Sequence, residues 1–286
     1  MKKLLFVGLG RMGVNMSAHL AKSGNYQVSV WNRSPKKIQA WLVEHQGQAY
    51  SPEQNYDAII LCVGNDQDVR ALLSTEMALF KQVTTGGHVI DHTTTSAELA
   101  KEMYTSAAEL GVYYLDSPVS GGEAGAVNGT LSCMVGGDEE ALEACQVFLN
   151  TYCANVVHIG GAGAGQIAKM ANQFCIAGLL AGLSEAITLV KKEGLEADNV
   201  FQAIKGGAAQ SWQMDNRFGT MVDDEFDFGF AIDHMIKDLK YAIDQSNQQG
   251  WNPTVSSMIC DWYQALSQAG GSTEDTSSLI KHYQDS

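Results

Sequence analysis

One stretch of the sequence, from Gly163 to Glu193, constrains the fold more than any other. It has no proline and is rich in Ala, Leu, Ile and Met, so it predicts a single long helix. At ~1.5 Å per residue, such a helix is roughly 40 Å long. Between Gln166 and Val190 its only charged residues are Lys169 and Glu185. A helix that is apolar on nearly all sides is a buried helix, so the fold has to pack around it.

Lys169 lies near the beginning of this helix, among other polar residues. Gln166 lies one turn before it, and Asn172 and Gln173 lie one turn after it, so the polar groups gather on one face. Lysine is almost never fully buried unless it is paired or has a function. The pattern makes Lys169 a candidate catalytic residue. The alternative is an exposed lysine without a role in the first turn.

The length and charge of the chain limit what it can do. A chain of 286 residues is expected to form two domains. Hydrophobic residues make up 45% and charged residues 17%, as in soluble globular proteins. The formal net charge of −14 argues against nucleic acids and anionic membranes as partners, because both need a basic surface. An anionic substrate therefore needs a local positive site.

The sequence also predicts a cytoplasmic protein without a membrane span or a metal. The first apolar run ends at Gly8 and is too short for the core of a signal peptide. Polar residues interrupt the long helix, which makes it a poor membrane span. The six cysteines form no C-x-x-C pair, so reduced thiols are favoured over a disulfide framework. The seven histidines show no zinc-ligand spacing.

A glycine-rich motif follows the first apolar run. Residues 8–13 read G-L-G-R-M-G, with a strand-like run before them and a helix-like run after them. In this setting Gly8 permits a tight turn, Gly10 lets a pyrophosphate approach the backbone, and Gly13 lets helix and strand pack closely. Phosphates would bind at the positive end of the helix. The motif predicts a dinucleotide site, and the alternative is an ordinary glycine-rich turn.

The end of the second predicted strand carries a basic cluster. Where an NAD site has Asp or Glu to hold the ribose hydroxyls, this chain has Asn32, Arg33 and Ser34. Lys36 and Lys37 follow. The cluster predicts binding of a 2′-phosphate and therefore of NADP. NAD is the alternative cofactor, and a solvated basic turn is the non-functional alternative.

The predicted secondary structure of the rest of the chain changes once, from alternating strands and helices to helices alone. Further strand and helix patterns follow the basic cluster, and Thr95 with Glu98 predicts the capping box of one helix. A glycine-rich segment, residues 116–130, predicts either a loop whose backbone N–H groups bind an anion or a flexible connector. After the long helix only helices are predicted, including one that begins at Asp233 and carries Lys237.

Four motifs resemble those of the β-hydroxyacid dehydrogenase family, which includes 3-hydroxyisobutyrate dehydrogenase, tartronate semialdehyde reductase and the glyoxylate/succinic semialdehyde reductases. In family order they are residues 8–16 for the cofactor, 116–122 with 129–131 for the substrate, 163–172 for catalysis, and 237–239 as the last signature. The resemblance extends over nearly the whole chain. It implies an α/β Rossmann dinucleotide-binding domain over residues 1–162 and an all-α domain over residues 163–286, joined by the long interdomain helix.

The resemblance also implies roles for individual residues. Lys169 is expected to be catalytic, with Asn172 beside it. The residues expected to bind the substrate are Ser120, Gly121, Gly122 and Lys237. The residues expected to bind the cofactor are Gly8, Leu9, Gly10, Arg11, Met12, Gly13, Asn32, Arg33, Ser34, Val63, Thr94 and Lys237. Ser96-Ala97 departs from the Ser-Pro that is common in the family, and we expect only a local effect.

These residues suit the reduction of an aldehyde or ketone. A buried ammonium can stabilise the developing alkoxide and donate the proton. The family's imine-reducing relatives lack Lys169, so its presence argues against imine reduction. We therefore predict an NADP-dependent oxidoreductase that interconverts a small carboxylate-bearing aldehyde and its hydroxyacid.

Two alternative functions remain open, and the sequence also predicts an oligomer. Within the enzymes the alternative is an NAD-dependent 3-hydroxyisobutyrate or serine dehydrogenase. From another class, it is a dinucleotide-binding regulatory protein without turnover. The long helix is more apolar than a small helical domain can cover, which predicts a homodimer or homotetramer.

Overall fold

The N-terminal part of the protein folds into one nine-stranded sheet. In the computed structural model, which describes residues 1–284, the strands are β1 (Lys2–Val7), β2 (Tyr26–Trp31), β3 (Gln48–Ala49), β4 (Tyr56–Leu61), β5 (Val83–Asp91), β6 (Tyr113–Asp116), β7 (Val119–Ser120), β8 (Leu131–Gly136) and β9 (Cys153–Gly160). They pair in the order β3-β2-β1-β4-β5-β6-β8-β7, and β9 pairs with β8. The run from β3 to β6 has the order of a doubly wound dinucleotide-binding sheet, so the predicted Rossmann fold is confirmed.

Helices separate the strands and then form the rest of the chain. The α-helices are α1 (Gly13–Lys22), α2 (Pro35–Glu44), α3 (Asp66–Arg70), α4 (Ala97–Ala108), α5 (Gly122–Asn128), α6 (Glu139–Leu149), α7 (Ala164–Lys192), α8 (Ala197–Ile204), α9 (Trp212–Val222), α10 (Ile232–Gln248) and α11 (Thr254–Leu266). Short π-helical turns span Ala71–Thr75 and Ser267–Gly271, and short 3₁₀ helices span Leu79–Gln82 and Thr276–Tyr283. The helical C-terminal region is therefore as predicted.

The central strands are buried on both faces. In β1, Leu4 and Phe6 belong to one apolar cluster, whereas Leu5 and Val7 belong to another, and all four are inaccessible to solvent. Successive side chains of a strand point to opposite faces, so one cluster covers each face of the sheet. This arrangement explains why β1 and β4 are continuous apolar runs rather than alternating patterns.

Strands β1, β2 and β4 are parallel and end at the same level. Val7 pairs with Trp31 on one side and with Leu61 on the other. The backbone N–H of Gly8 donates to the carbonyl of Trp31 at 2.9 Å, and that of Cys62 donates to the carbonyl of Val7 at 2.9 Å. The loops after these strands therefore begin side by side at the carboxyl edge, where open α/β sheets bind their ligands.

The long predicted helix is confirmed as α7, and the division of the chain into compact units falls inside it. One unit is Met1–Lys169, and the other begins at Met170. The proposed boundary after residue 162 lies just before the first residue of α7. Lys169 is therefore the last residue of the N-terminal unit, although its helix continues for several turns.

By length and composition, α7 is also the one helix among residues 1–284 that could cross a membrane. The core helix of a soluble protein meets the same criteria. In the C-terminal unit Leu180, Leu183 and Ile187 of α7 belong to a buried cluster with residues of α9, α10 and α11. Each of the three is at most 6% exposed. One side of α7 therefore packs into the core of that unit, although only 39% of its most apolar stretch is buried.

A buried carboxylate connects distant parts of the C-terminal unit. Asp275 is 1% exposed and accepts a hydrogen bond from Arg217 Nε at 3.0 Å. It also accepts from the backbone N–H of Phe230 at 2.9 Å and from the hydroxyl of Ser277 at 2.6 Å. These bonds connect α9, the segment before α10 and the last 3₁₀ helix. Arg217 and Phe230 are distant from Asp275 in sequence, which is why the sequence did not indicate this role.

The predicted capping box at Thr95 is wrong. The N-cap residue of α4 is Ser96, whose hydroxyl accepts from the backbone N–H of Leu99 at 3.1 Å. The hydroxyl of Ser96 also donates to Asp66 at 2.6 Å. The backbone N–H of Thr95 instead donates to Gln166 at 3.0 Å. Ser96 therefore caps the helix one residue later than predicted, and Thr95 is bonded to Gln166 instead.

The glycine-rich segment 116–130 is more ordered than the predicted loop, because it contains β7 and α5. Gly121 and Gly122 have φ angles of 127° and 62°, which let the chain turn sharply from β7 into α5. Gly129, with φ of 67°, ends the helix in the left-handed conformation. Glycine is a poor helix former, so the composition concealed this short helix.

Candidate active site

The glycine motif of residues 8–13 forms the turn between β1 and α1. A Cβ on Gly8 would collide with the carbonyl oxygen of Cys62, and a Cβ on Gly13 would collide with that of Gly8. A Cβ on Gly10, in contrast, would have no atom within 4 Å. The first and third glycines are therefore required by packing, whereas Gly10 lies against open space that a ligand could occupy. This arrangement fits a dinucleotide pyrophosphate at the N-terminus of α1.

Asn32 supports this turn from the end of β2. Its Oδ1 accepts a hydrogen bond from the backbone N–H of Leu9 at 2.9 Å, and its Nδ2 contacts the carbonyl of Ser34 at 3.4 Å. Arg11 and Met12 occupy the same turn, and Arg11 lies 3.8 Å from Glu123 of α5. The structure thus brings the residues predicted from the first two strands together.

Arg33 has a partner that the sequence did not indicate. Its side chain is 81% exposed, and its Nη2 lies 2.9 Å from Oδ1 of Asp68 on α3. The other carboxylate oxygen of Asp68 accepts from the backbone N–H of Gly64 at 3.2 Å. A carboxylate therefore does lie near the end of β2, although it comes from α3. Exposed ion pairs contribute only ~0–1 kcal/mol to stability, so the contact with Asp68 does not hold the Arg33 side chain firmly in this position.

Val63 and Thr94 follow the next two strands at the same edge of the sheet. The backbone N–H of Val63 donates to the hydroxyl of Thr93 at 3.1 Å. The backbone N–H of Thr93 donates to Asp91 at 2.9 Å. Thr94 is half-buried between two threonines whose backbones are both hydrogen-bonded. Both residues therefore lie on fixed segments at the ligand-binding edge.

Lys169 is buried rather than exposed in a frayed first turn. The residue is 8% exposed, and its Nζ donates a hydrogen bond to the carbonyl of Val119 at 2.9 Å. This finding rules out the exposed alternative. Val119 directly precedes Ser120, Gly121 and Gly122, so the ammonium lies beside the segment predicted to bind the substrate. Ser120 is half-buried in β7, and the two glycines are exposed at the beginning of α5.

A second buried carboxylate, Asp116, contacts the beginning of α7. Its Oδ1 accepts from the backbone N–H of Gly163 at 2.7 Å, and its Oδ2 accepts from that of Gln166 at 3.0 Å. Burial raises the pKa of Asp116 to about 6, although these N–H bonds lower it. At neutral pH the carboxylate is therefore ionised at the positive end of the helix. Sequence reasoning missed this role, although Asp116 begins the substrate motif.

Next to it, Asp91 and His92 form part of a buried polar layer. Asp91 accepts from the hydroxyl of Tyr114 at 2.9 Å, and burial raises its pKa to about 6. His92 contacts the carbonyl of Ser117 at 2.6 Å and the hydroxyl of Tyr152 at 2.9 Å. Burial lowers the pKa of His92 to about 4, so the imidazole is neutral at pH 7. Both of its nitrogens face these neighbours, which indicates a structural role.

The C-terminal unit carries Asn172 and Lys237, and a chain of polar contacts joins them. Asn172 Nδ2 donates to Gln173 Oε1 at 2.8 Å, and Gln173 Nε2 donates to Asp238 Oδ2 at 2.7 Å. The other oxygen of Asp238 lies 3.0 Å from Nζ of Lys237. Lys237 Nζ also lies 5.1 Å from the ring centre of Tyr241. Gln173 and Asp238 are buried, and their contacts fix the positions of the two predicted site residues, Asn172 and Lys237.

Among residues 1–284 no group of His, Cys, Asp and Glu side chains has the arrangement of a metal site. The described residues contain no disulfide bond, and Cys133, Cys145, Cys153 and Cys260 are buried.

Comparison with known proteins identifies the family. Residues 3–160 match the family model described as the NAD binding domain of 6-phosphogluconate dehydrogenase. Residues 163–283 match the one described as NAD-binding of NADP-dependent 3-hydroxyisobutyrate dehydrogenase. The chain therefore belongs to the β-hydroxyacid dehydrogenase family, and it is an NAD(P)-dependent oxidoreductase that acts on CH–OH groups.

Named relatives extend over almost the whole chain. The 2-hydroxy-3-oxopropionate reductase of Escherichia coli is 33% identical and covers 98% of this chain and 96% of its own. The NAD-dependent L-serine dehydrogenase of Pseudomonas aeruginosa is 30% identical and covers 98% and 97%. The solved structure of Mycobacterium tuberculosis 3-hydroxyisobutyrate dehydrogenase with L-serine has a TM-score of 0.89 at 29% identity, and covers 99% of both chains. The class of reaction is shared, whereas the named substrates differ.

The second and third glycines of the cofactor turn, Gly10 and Gly13, give a first testable prediction. Gly10→Ala should leave the thermal unfolding temperature near that of the wild type, because the new methyl group meets no atom. It should weaken dinucleotide binding at least about tenfold, the equivalent of ~1.4 kcal/mol. Gly13→Ala should lower the free energy of unfolding by about 1–3 kcal/mol through overpacking.

Calorimetry and fluorescence titration with both dinucleotides measure the two effects. The assignment of the turn is contradicted if Gly10→Ala binds dinucleotide like the wild type, or if Gly13→Ala is as stable as Gly10→Ala.

Proposed function

We propose that this protein is an NADP-dependent reductase that interconverts a small carboxylate-bearing aldehyde and its hydroxyacid. The buried ammonium of Lys169 beside the Ser120–Gly122 segment is the observation that carries the proposal. Because the overall charge is acidic, an anionic substrate needs a local cation such as this one. We assign the protein to the cytoplasm, as the sequence predicts.

The dinucleotide and the residues of the chain have different roles in the reaction. When bound, the nicotinamide supplies the hydride to the carbonyl carbon or removes it from the hydroxyacid. Lys169 stabilises the alkoxide oxygen and donates a proton to it in the direction of reduction. In the opposite direction it removes the hydroxyl proton. Its hydrogen bond to Val119 holds the ammonium in place before substrate binds.

The substrate carboxylate is assigned to Ser120, Gly121 and Gly122. The hydroxyl of Ser120 and the backbone N–H groups at the beginning of α5 are suitable donors for an anion. Hydrogen bonds to a charged group are worth ~1.5–3 kcal/mol each. In the C-terminal unit, Asn172 is assigned to orienting the substrate, and Lys237 to binding the substrate and the cofactor.

NADP is assigned as the cofactor because residues 32–34 contain no carboxylate and include Arg33. The amide oxygen of Asn32 is already bonded to the turn, so it does not replace the acidic residue of an NAD site. Arg33 can leave its exposed contact with Asp68 and bind a 2′-phosphate through two parallel N–H donors.

The observation that favours a second candidate is the position of Asp68. Its carboxylate neutralises Arg33 in this structure and would repel a 2′-phosphate. An NAD-dependent 3-hydroxyisobutyrate or serine dehydrogenase is therefore the alternative. Arg33 is much more exposed than Asp68, 81% against 27%, so it is free to turn toward a ligand, and we retain NADP as the proposal.

The catalytic role is tested with Lys169→Ala. The variant should reduce kcat about 10²–10⁴-fold, the usual contribution of a general acid, with little change in NADPH affinity. The reaction is followed as loss of NADPH absorbance with glyoxylate, succinic semialdehyde, tartronate semialdehyde and methylmalonate semialdehyde. Lys191→Ala, at the other end of α7, is the matched control and should react like the wild type.

The same assay tests the substrate class. Wild-type kcat/KM should be higher for succinic semialdehyde than for butyraldehyde, about tenfold for each ~1.4 kcal/mol of carboxylate binding. Equal values for the two aldehydes would contradict the carboxylate assignment, and near wild-type turnover by Lys169→Ala would contradict the catalytic one.

The cofactor assignment is tested with Arg33→Ala. One charge-assisted contact to the 2′-phosphate gives the wild type roughly a 10- to 100-fold higher kcat/KM with NADPH than with NADH. Arg33→Ala should bring the two values close together. The matched control is Arg70→Ala, which removes another exposed arginine with an acidic partner, Glu102. Preference of the wild type for NADH, or an unchanged ratio in Arg33→Ala, would favour the NAD-dependent alternative.

A homodimer or homotetramer is proposed because α7 exposes apolar side chains that a monomer would leave in water. Leu179 is 43% and Leu189 is 62% exposed on this helix. Elsewhere in the C-terminal unit, Trp251 is 54% and Val255 60% exposed. A second subunit that covered these side chains would remove them from water, which supports the proposed assembly.

Light scattering at micromolar concentration should give at least twice the subunit mass of 30.8 kDa. Leu179→Lys should lower that mass, whereas Val43→Lys, at an exposed apolar position on α2, should not. A wild-type mass of one subunit would refute the assembly.

A further inference from the structure

The first turn of α7 is held from two sides by side chains that do not touch the proposed reacting atoms. On one side is Asp116, at the end of β6. On the other is the segment from Thr93 to Thr95, which follows β5. Both contacts lie within the N-terminal unit, and Lys169 is only one turn further along the same helix.

Asp116 is tied to Lys169 through both its side chain and its backbone. Its carboxylate accepts from the N–H groups of Gly163 and Gln166, and the N–H of Gly165 also contributes. Its main chain leads, three residues later, to Val119, whose carbonyl accepts from Lys169 Nζ. The carboxylate, α7, the lysine side chain and residues 116–119 therefore form a closed ring. In such a ring the position of the ammonium depends on the carboxylate.

Gly165 shows how closely the helix approaches the sheet within this ring. A Cβ at this position would lie 2.5 Å from the carbonyl oxygens of Asp116 and of Met134. Contacts this short do not occur for real Cβ atoms. The first turn of α7 thus has almost no room to shift toward β6 and β8. The hydrogen bonds from this turn to Asp116 fix the direction of the helix axis there.

Gln166 makes the corresponding connection on the cofactor side. Its Oε1 accepts from the backbone N–H of Thr95 at 3.0 Å, and its Nε2 donates to the carbonyl of Thr93 at 2.8 Å. These two bonds bracket Thr94, which is assigned to the cofactor. Gln166 is inaccessible to solvent, so both bonds form in a buried environment where losing them is costly.

We propose that Asp116 and Gln166 are positioning residues, which fix the ammonium of Lys169 against the substrate segment and the cofactor segment at once. This inference rests on the proposed function, since it assigns the work of both residues to Lys169. Neither residue needs to touch substrate or cofactor. Their effect is geometric: a misplacement of about 1 Å at a reacting group can reduce a rate about 10²-fold.

The test uses single-turnover rate constants for NADPH oxidation, measured with the full-length protein and saturating aldehyde. A first-order rate constant does not depend on the fraction of active molecules, so loss of folded protein alone leaves it unchanged. Asp116→Asn keeps the size of the side chain but removes its charge and replaces one acceptor with a donor that faces an N–H group. It should reduce the rate constant about 10- to 100-fold and change the NADPH dissociation constant less than about twofold.

Gln166→Met is the second variant, because it keeps the shape of the side chain and removes both bonds to the cofactor segment. It should reduce the rate constant about tenfold, and it decides the question if Asp116→Asn does not fold. The matched control is Asp138→Asn, which changes an aspartate at the beginning of another helix, α6. Asp138 accepts from Tyr104 at 2.8 Å and makes no hydrogen bond to α7 in this structure. The control should retain the wild-type rate.

A double-variant cycle separates this inference from the proposed function. If Asp116 acts through Lys169, adding Asp116→Asn to Lys169→Ala should cause no further loss of rate. Equal losses in the wild-type and Lys169→Ala backgrounds would overturn the positioning role. So would wild-type rates in both Asp116→Asn and Gln166→Met while Lys169→Ala is slow. Wild-type turnover by Lys169→Ala would instead overturn the proposed function itself.

Discussion

The rest of the structure depends on keeping one ammonium group almost out of water. Burying a charge without partners costs several kcal/mol, so the fold has to supply an acceptor and hold it in place. Lys169 Nζ donates to the carbonyl of Val119 at 2.9 Å. That carbonyl belongs to the short strand β7, which pairs with β8 and also contains Ser120. One hydrogen bond therefore places the charge beside the segment where we propose the substrate carboxylate binds.

The same constraint explains why two further buried carboxylates are tolerated in this part of the molecule. Asp116 accepts backbone N–H groups at the positive end of α7, and Asp91 accepts from Thr93 and Tyr114. Burial raises the pKa of both groups to about 6, which shows that their desolvation is only partly offset. Both groups accept hydrogen bonds at the ends of two neighbouring strands, β5 and β6.

The sequence was sufficient for features that depend on local pattern. The order of strands and helices, the turn of Gly8 to Gly13 and the long apolar helix all follow from periodicity and from the steric properties of glycine. The buried position of Lys169 agrees with the polar face that Gln166 and Asn172 share with it. The resemblance to the β-hydroxyacid dehydrogenases then gave the family correctly.

Features that depend on distant residues could not be predicted. Asp68 contacts Arg33 across 35 positions, and Asp116 binds the N–H of Gln166 across 50. The N-cap residue of α4, Ser96, also donates a hydrogen bond to Asp66, 30 residues away. No local pattern encodes these pairs, since they arise only when the sheet brings its loops to one edge. The helix α5 was missed for a different reason, because glycine is a poor helix former and three glycines lie at its ends.

The most direct measurement of the central claim is a crystal structure of the protein with NADP⁺ and a bound hydroxyacid product. The account predicts that the hydroxyl oxygen of the product lies about 2.6–3.2 Å from Lys169 Nζ. It also predicts that the product carboxylate accepts hydrogen bonds from Ser120 and from the backbone N–H groups that follow it. A product whose hydroxyl is held by another side chain, with Lys169 still bonded only to protein atoms, would contradict the account.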